Sequence, residues 1–199
     1  TEDNGTYNKK VVTLSTGDLP KNDLLVKVKY SSVNYKDALS SSGNKGVTKK
    51  YPHIPGIDAV GTVVESVSDK FPVGSEVLVT GYDLGMNTWG GFGEYISIPQ
   101  SWAILLPEGL SPKEAMCFGT AGLTAALSVN HLIGNVVLPD SGNIVISGAT
   151  GAVGSIAVSI LAKLGYVVIA VSGKAEHSFL TETLGAKDVL PRHEFIASY

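Results

Sequence analysis

The residues best placed to do chemistry are Gly148-Ala149-Thr150-Gly151-Ala152-Val153-Gly154. A short apolar run, Asn143 to Ser147 (NIVIS), leads into them. An apolar stretch with helical character, Ser155 to Leu164, leaves them. A glycine triplet alone is a weak signal and describes any tight strand-to-helix turn. Between a strand and a helix, with a second strand at Tyr166 to Val171 (YVVIAV), it predicts a dinucleotide-binding loop. The glycines permit the turn and bring a pyrophosphate onto the backbone. The first N–H groups of the helix then face the phosphates, with the positive end of the helix dipole behind them. The end of the second strand selects the dinucleotide. An NAD site carries an acid there for the ribose 2′-hydroxyl, whereas an NADP site lacks it and offers cations to the 2′-phosphate. This strand ends Val171-Ser172-Gly173-Lys174, with no acid before Glu176. Ser172 and the Gly173 N–H can donate hydrogen bonds and Lys174 can supply charge, which points to NADPH.

The elements that must position this loop change character near residue 110. Before it, short β-type runs alternate with turn residues: Leu24 to Tyr30, Ala59 to Val67, Glu76 to Thr80 and Tyr95 to Ile98. That texture predicts an irregular, mostly antiparallel β-domain over 1–110. After it, Ser111-Pro112-Lys113-Glu114 is a capping box with proline at the first helical position. It opens a helix running toward His131 with a break between Gly119 and Gly122. Strand 143–147, helix 155–164, strand 166–171, helix 177–184 and strand 187–190 follow. The order β-α-β-α-β predicts a parallel sheet with right-handed crossovers over 111–199. The fold class is therefore α/β. Because a doubly wound sheet has about six strands, the chain reads as a fragment holding the first half of one.

Composition narrows the partners. Of the 199 residues 44% are hydrophobic and 17% charged, which excludes a wholly disordered chain. The net charge of −3 argues against a nucleic-acid partner. Cys117 is the single cysteine, which excludes an internal disulfide and a multi-cysteine zinc cluster. Ser141 to Ala162 is 22 residues without a charge. Its glycines, serines and threonine read as a strand and a turn rather than a membrane span. No membrane partner is expected. Thr1 to Lys10 is polar and carries no apolar signal core, so a cytoplasmic location is expected.

Further motifs carry a family resemblance over almost the whole chain. They are Ser32-Val33-Asn34-Tyr35-Lys36-Asp37-Ala38-Leu39, Pro55 to Val63 (PGIDAVGTV), Gly74 to Val77 (GSEV), Trp89 to Tyr95 (WGGFGEY) and Gly119 to Ala125 (GTAGLTA). With the glycine loop, the chain resembles the medium-chain dehydrogenase/reductase superfamily. It is most similar to the zinc-free quinone oxidoreductase branch and its acrylyl-CoA reductase subfamily. The resemblance implies a GroES-like first domain and an NADP-binding Rossmann second domain. Zinc members place a cysteine where this chain has Asn34 and a histidine where it has Ile57. Cys117 alone cannot hold a catalytic zinc, which takes about three protein ligands, so no metal is expected. His53, His131, His177 and His193 show no ligand spacing and read as surface or capping residues. Cys117 reads as a small buried hydrophobe.

The activity so implied is metal-free reduction of the activated C=C bond of an enoyl thioester such as acrylyl-CoA. A quinone or reactive-enal reductase shares the same residues. A non-catalytic NADPH-binding sensor is the reading of another class. Asn34, Tyr35 and Asp58 form the implied catalytic set. Asn34 or Tyr35 would donate to the substrate oxygen, with Lys36, Asp37 and Asp58 setting the electrostatics. The plainer reading makes Asn34-Tyr35 a turn and Asp37 a helix cap. Tyr35, Thr120, Thr150, Gly151, Ala152, Val153, Ser172, Gly173 and Lys174 form the implied cofactor set. Lys45, Lys49 and Lys50 lie in a loop free of acids that could attract the phosphates of a CoA ester or simply be solvated. Relatives in the superfamily commonly pair, which implies a homodimer at full length.

Overall fold

The computed structural model describes residues 1–3, 5–174 and 176–197, and the chain divides into two units, Thr1–Thr120 and Ala121–Tyr199. The last two residues of the expected second domain, Ser198 and Tyr199, lie outside the described residues.

The first unit opens with a small ribbon of β1 (Glu2–Asp3) and β2 (Thr6–Tyr7). Next come β3 (Leu24–Tyr30), α1 (Tyr35–Ser41), β4 (Asp58–Ser66), β5 (Glu76–Thr80), β6 (Tyr95–Ile98) and β7 (Ile104–Leu105). Strands β3 to β7 form one antiparallel sheet in the order β6-β3-β4-β5-β7. Alternation sets the inner face. Leu24 and Val26 of β3, Val77 and Val79 of β5, and Ile96 and Ile98 of β6 meet Val63 and Phe71 in one core. Central β4 has neighbours on both edges and is buried from Asp58 to Gly61. The helix α1 was not predicted as an element; the plainer sequence reading gave only a turn at Asn34-Tyr35 and a helix cap at Asp37.

The capping box at Ser111 starts α2 (Pro112–Gly134): Ser111 N donates to Glu114 Oε2 at 2.9 Å and Glu114 N donates to Ser111 Oγ at 3.3 Å. The first turn buries Ala115 and Met116 against Val60. The helix breaks at Gly119 (φ 48, ψ −151), within the range the sequence predicts. By length and composition α2 is apolar enough to cross a membrane. The break leaves Pro112–Phe118 and Thr120–Gly134, each short of the ~20 residues a span needs.

In the second unit the rest of α2 is followed by β8 (Ile144–Ser147), α3 (Ala152–Lys163), β9 (Val168–Ser172), a single π-helical turn (Phe179–Thr183), β10 (Asp188–Pro191) and α4 (Arg192–Ala197). The sheet is parallel throughout, in the order β10-β9-β8, as the β-α-β-α-β reading requires. Val158, Leu161, Val168, Ala170 and Leu180 are fully buried at its centre. Two local readings shift. Helix α3 begins at Ala152 rather than Ser155, so Gly154 lies in its first turn. The expected helix at 177–184 is mostly the π turn. The stretch 141–162 is split between β8, the glycine loop and α3.

Candidate functional site

In the first unit the site is assembled on Asp58, the first residue of β4 and fully buried. Chain leaving β3 brings Ser32 and then Asn34, which precedes α1. The break in α2 brings Thr120. Asp58 Oδ2 accepts from Ser32 Oγ, from Asn34 Nδ2 at 2.9 Å and from Thr120 N at 2.9 Å. Asp58 Oδ1 accepts from Thr120 Oγ1 at 2.6 Å. Gly119 makes this closure possible. A Cβ on Gly119 would lie 2.5 Å from Asp58 Oδ2 and 2.8 Å from Ser32 Oγ, and its φ of 48 is one that L side chains rarely adopt. The Asn34 amide also donates to Ser32 Oγ at 3.0 Å.

Tyr35, the first residue of α1, is 79% exposed. Lys36 beside it is also exposed. Asp37 is buried and serves the backbone: its Oδ2 accepts from Asn34 N at 2.7 Å, and its Oδ1 accepts from Gly56 N and Ile57 N, both at 3.0 Å. Burial pushes the Asp37 carboxyl above the usual range, and these three N–H groups hold it back. Asp37 is thus the helix cap of the plainer reading and also ties α1 to the chain entering β4.

Two sequence readings need correction. Cys117 is exposed, because Ala115 and Met116 take the inward face of α2. His53 is not on the surface. It is half-buried, its Nε2 lies 2.9 Å from the Gly85 carbonyl, and burial lowers its pKa. His131, His177 and His193 are exposed. Of the three loop lysines, Lys45 is engaged: it donates to Glu2 Oε2 at 2.7 Å and sits 4.9 Å from the centre of the Tyr51 ring.

In the second unit the glycine loop forms a tight strand-to-helix turn. Gly151 N donates to Gly148 O at 2.8 Å, and Ser155 N donates to Gly151 O at 2.8 Å. Gly151 is the N-cap of α3, and no side chain bonds back onto the helix start. Below the turn there is no room: a Cβ on Gly154 would meet Gly148 O at 2.4 Å. Above it there is. A Cβ on Gly151 meets only Gly148 O, at 3.2 Å, and Gly151, Ala152 and Val153 are exposed with Thr150 half-buried. At the end of β9, Ser172 is buried and shapes the turn, its Oγ accepting from Lys174 N at 3.0 Å. Gly173 and Lys174 are exposed.

The sequence reading did not single out Ser32 or assign Gly119 a place against Asp58. Ser32 carries no local signal, since a hydroxyl between strand and helix is common. Gly119 was visible as a helix breaker and as the first residue of the GTAGLTA motif, with nothing to link it to Asp58.

Comparison with known proteins adds three findings. Residues 20–108 match the alcohol dehydrogenase GroES-like domain. Acrylyl-CoA reductase AcuI of Ruegeria pomeroyi is 42% identical over 193 residues, which is 97% of this chain and 58% of that protein. Two solved structures superpose closely. The yhdH oxidoreductase from Salmonella enterica in complex with NADP has a TM-score of 0.95 and 44% identity, covering 98% of this chain and 60% of that one. Bacillus subtilis protein yhfP with NAD bound has a TM-score of 0.89 and 49% identity, covering 93% of this chain and 56% of that one. The chain thus spans somewhat over half the length of these relatives.

Proposed function

We propose, from the premise that the chain belongs to the medium-chain dehydrogenase/reductase superfamily, that it forms part of a metal-free, NADPH-dependent reductase of an activated C=C bond, with an enoyl thioester such as acrylyl-CoA as substrate. The observation that carries this reading is the uncapped start of α3 above the close contact of Gly148 and Gly154. The N–H groups of Ala152 and Val153, flanked by Thr150 and Gly151, hold the pyrophosphate. Gly173 N–H and Lys174 take the 2′-phosphate on the turn closed by Ser172.

NADPH, when bound here, would supply a hydride to the β-carbon of the substrate, the π electrons moving to the carbonyl as an enolate that is then protonated at the α-carbon. Charge then develops on the substrate carbonyl oxygen, where a donor is needed. Of the two candidates, Tyr35 is the more exposed, whereas the Asn34 amide nitrogen already donates toward the close pair Ser32 Oγ and Asp58 Oδ2. Asn34 and Asp58 are positioning residues: Asp58 fixes Ser32, Asn34 and Thr120 together. Asn34 and Ile57 offer neither the thiolate nor the imidazole of the zinc members.

The test is NADPH oxidation by the protein with acrylyl-CoA, crotonyl-CoA, enals and quinones. Acyl-CoA turnover is expected to dominate, and Tyr35→Phe to lower kcat by about 100-fold with little change in KM. A preference for quinones refutes the substrate class. Unchanged kinetics in Tyr35→Phe removes that residue from the chemistry.

A further inference from the structure

One charged loop of the first unit takes no part in the polar cluster on Asp58. Gly43 to His53 runs GNKGVTKKYPH, with Lys45, Lys49 and Lys50 and no acid. The fold divides these lysines. Lys45 is turned back on the N-terminal ribbon, paired with Glu2 and lying 5.5 Å from the centre of the Tyr7 ring. Its charge is met within the protein. Lys49 and Lys50 are exposed, and among the described residues neither has a carboxylate within ion-pair distance. Their backbone, by contrast, is fixed on both sides. Thr48 before them is buried, its Oγ1 2.7 Å from Ser40 Oγ of α1. The Tyr51 hydroxyl after them donates to Ser40 O at 2.6 Å. Lys49 N donates to Asn87 Oδ1 at 3.2 Å. Asp83, the acid of that turn, spends its carboxylate inside the turn: Oδ1 accepts from Asn87 Nδ2 at 2.9 Å and Oδ2 from Thr88 Oγ1 at 3.4 Å. Helix α1 therefore carries Tyr35 in its first turn and braces two unpaired cations at its last. Ser40 lies about 7.5 Å along the helix axis from Tyr35.

We propose that Lys49 and Lys50 dock the nucleotide phosphates of an acyl-CoA substrate whose thioester lies at the Tyr35 end of α1. This rests on the enoyl-thioester reading and adds to it the site that holds the substrate's handle. A CoA ester carries its phosphates on the nucleotide, which the pantetheine arm joins to the thioester. Cations remote from Tyr35 can hold that end without touching the reacting atoms. Two unpaired ammonium groups on an anchored backbone attract such a polyanion and donate to its oxygens. Binding of this kind is equal in ground and transition states, so it lowers KM and leaves kcat alone. NADPH carries phosphates of the same chemistry, and the test must separate the two sources.

Steady-state kinetics with acrylyl-CoA and with acrylyl-pantetheine, which lacks the nucleotide, does so. At low salt the wild type should favour acrylyl-CoA by about tenfold, through KM. Lys49→Gln combined with Lys50→Gln should close most of that gap, raising the acrylyl-CoA KM about 5–10-fold at unchanged NADPH KM. Lys49→Arg combined with Lys50→Arg should keep the gap, and so should Lys45→Gln, whose lysine is already paired. If the wild type shows no gap, or the glutamine pair keeps it, the docking role is overturned and the enoyl-thioester reading stands. If Lys45→Gln closes the gap as far as the glutamine pair does, the division among the lysines is overturned. If the NADPH KM rises in place of the acrylyl-CoA KM, the two lysines serve the cofactor and the inference is overturned. If the wild type reduces quinones in preference to both thioesters, the substrate reading itself fails and takes this inference with it.

Discussion

Around Asp58, four donors from Ser32, Asn34 and Thr120 close on two buried carboxylate oxygens. At the start of α3, Gly151 turns no side chain back on the helix N–H groups, which face outward. Both corners depend on a glycine that tolerates no Cβ, Gly119 in one and Gly154 in the other. They use the backbone in opposite ways. The first spends a helix break to satisfy a charge from within the protein. The second keeps a helix terminus unsatisfied, so that the missing partner must come from outside. A buried polar group with all its partners fixes geometry, and an exposed one without them is available for binding.

The sharpest way to break that contrast is Gly119→Ala. A methyl group 2.5 Å from the Asp58 carboxylate, at a φ of 48, must push Thr120 off its bonds. Stability should fall by about 3 kcal/mol, read as a lower denaturation midpoint at unchanged m-value. An unchanged midpoint would mean that the polar cluster is looser than drawn.

Within the glycine loop the contrast can be sharpened. Gly154→Ala meets backbone at 2.4 Å and should cost about 2 kcal/mol. Gly151→Asp instead adds a favoured N-cap in extended backbone (φ −79, ψ 165). It should leave stability within about 0.5 kcal/mol. The added carboxylate would occupy the proposed phosphate position and repel a phosphate there, so NADPH affinity should drop by about tenfold or more by titration. Equal effects of the two substitutions on stability and on binding would remove the distinction between floor and cradle.

The smallest effect concerns His53, a half-buried polar group outside both corners. Burial lowers its folded pKa below the ordinary 6.5. The unfolded chain therefore binds more protons between the two values. Stability is present above 6.5 and declines as pH falls through the folded pKa. His53→Gln should flatten that acid limb of the unfolding midpoint against pH. An identical slope in the variant would place the loss on other groups.

Much of this arrangement is legible without coordinates. Strands 24–30, 76–80 and 95–98 match their predicted bounds because alternation and flanking turn residues are local signals. The parallel sheet and the break at Gly119 follow for the same reason. Helix α1 was not legible. Its seven residues follow turn-forming Asn34 and are held by Asp37 reaching Gly56 and Ile57, a tie across about twenty residues that periodicity does not record. The cluster on Asp58 depends on still longer separations, 26 residues to Ser32 and 62 to Thr120. Cys117 was misread because cysteine is a common core residue, and the inward side of α2 is decided by its packing on Val60.

Asp58 stands at the head of β4, paired with Thr80 and followed by Ala59 and Val60, both buried. Shifting that strand by one position against its neighbours would swap its two faces. The carboxylate would then be thrust among aliphatic side chains, and its three partner segments would be left gripping an alanine. Misaligned pairings of the central strand thus carry the cost of an orphaned charge, and the anchor of the polar cluster doubles as an indexing pin for the sheet.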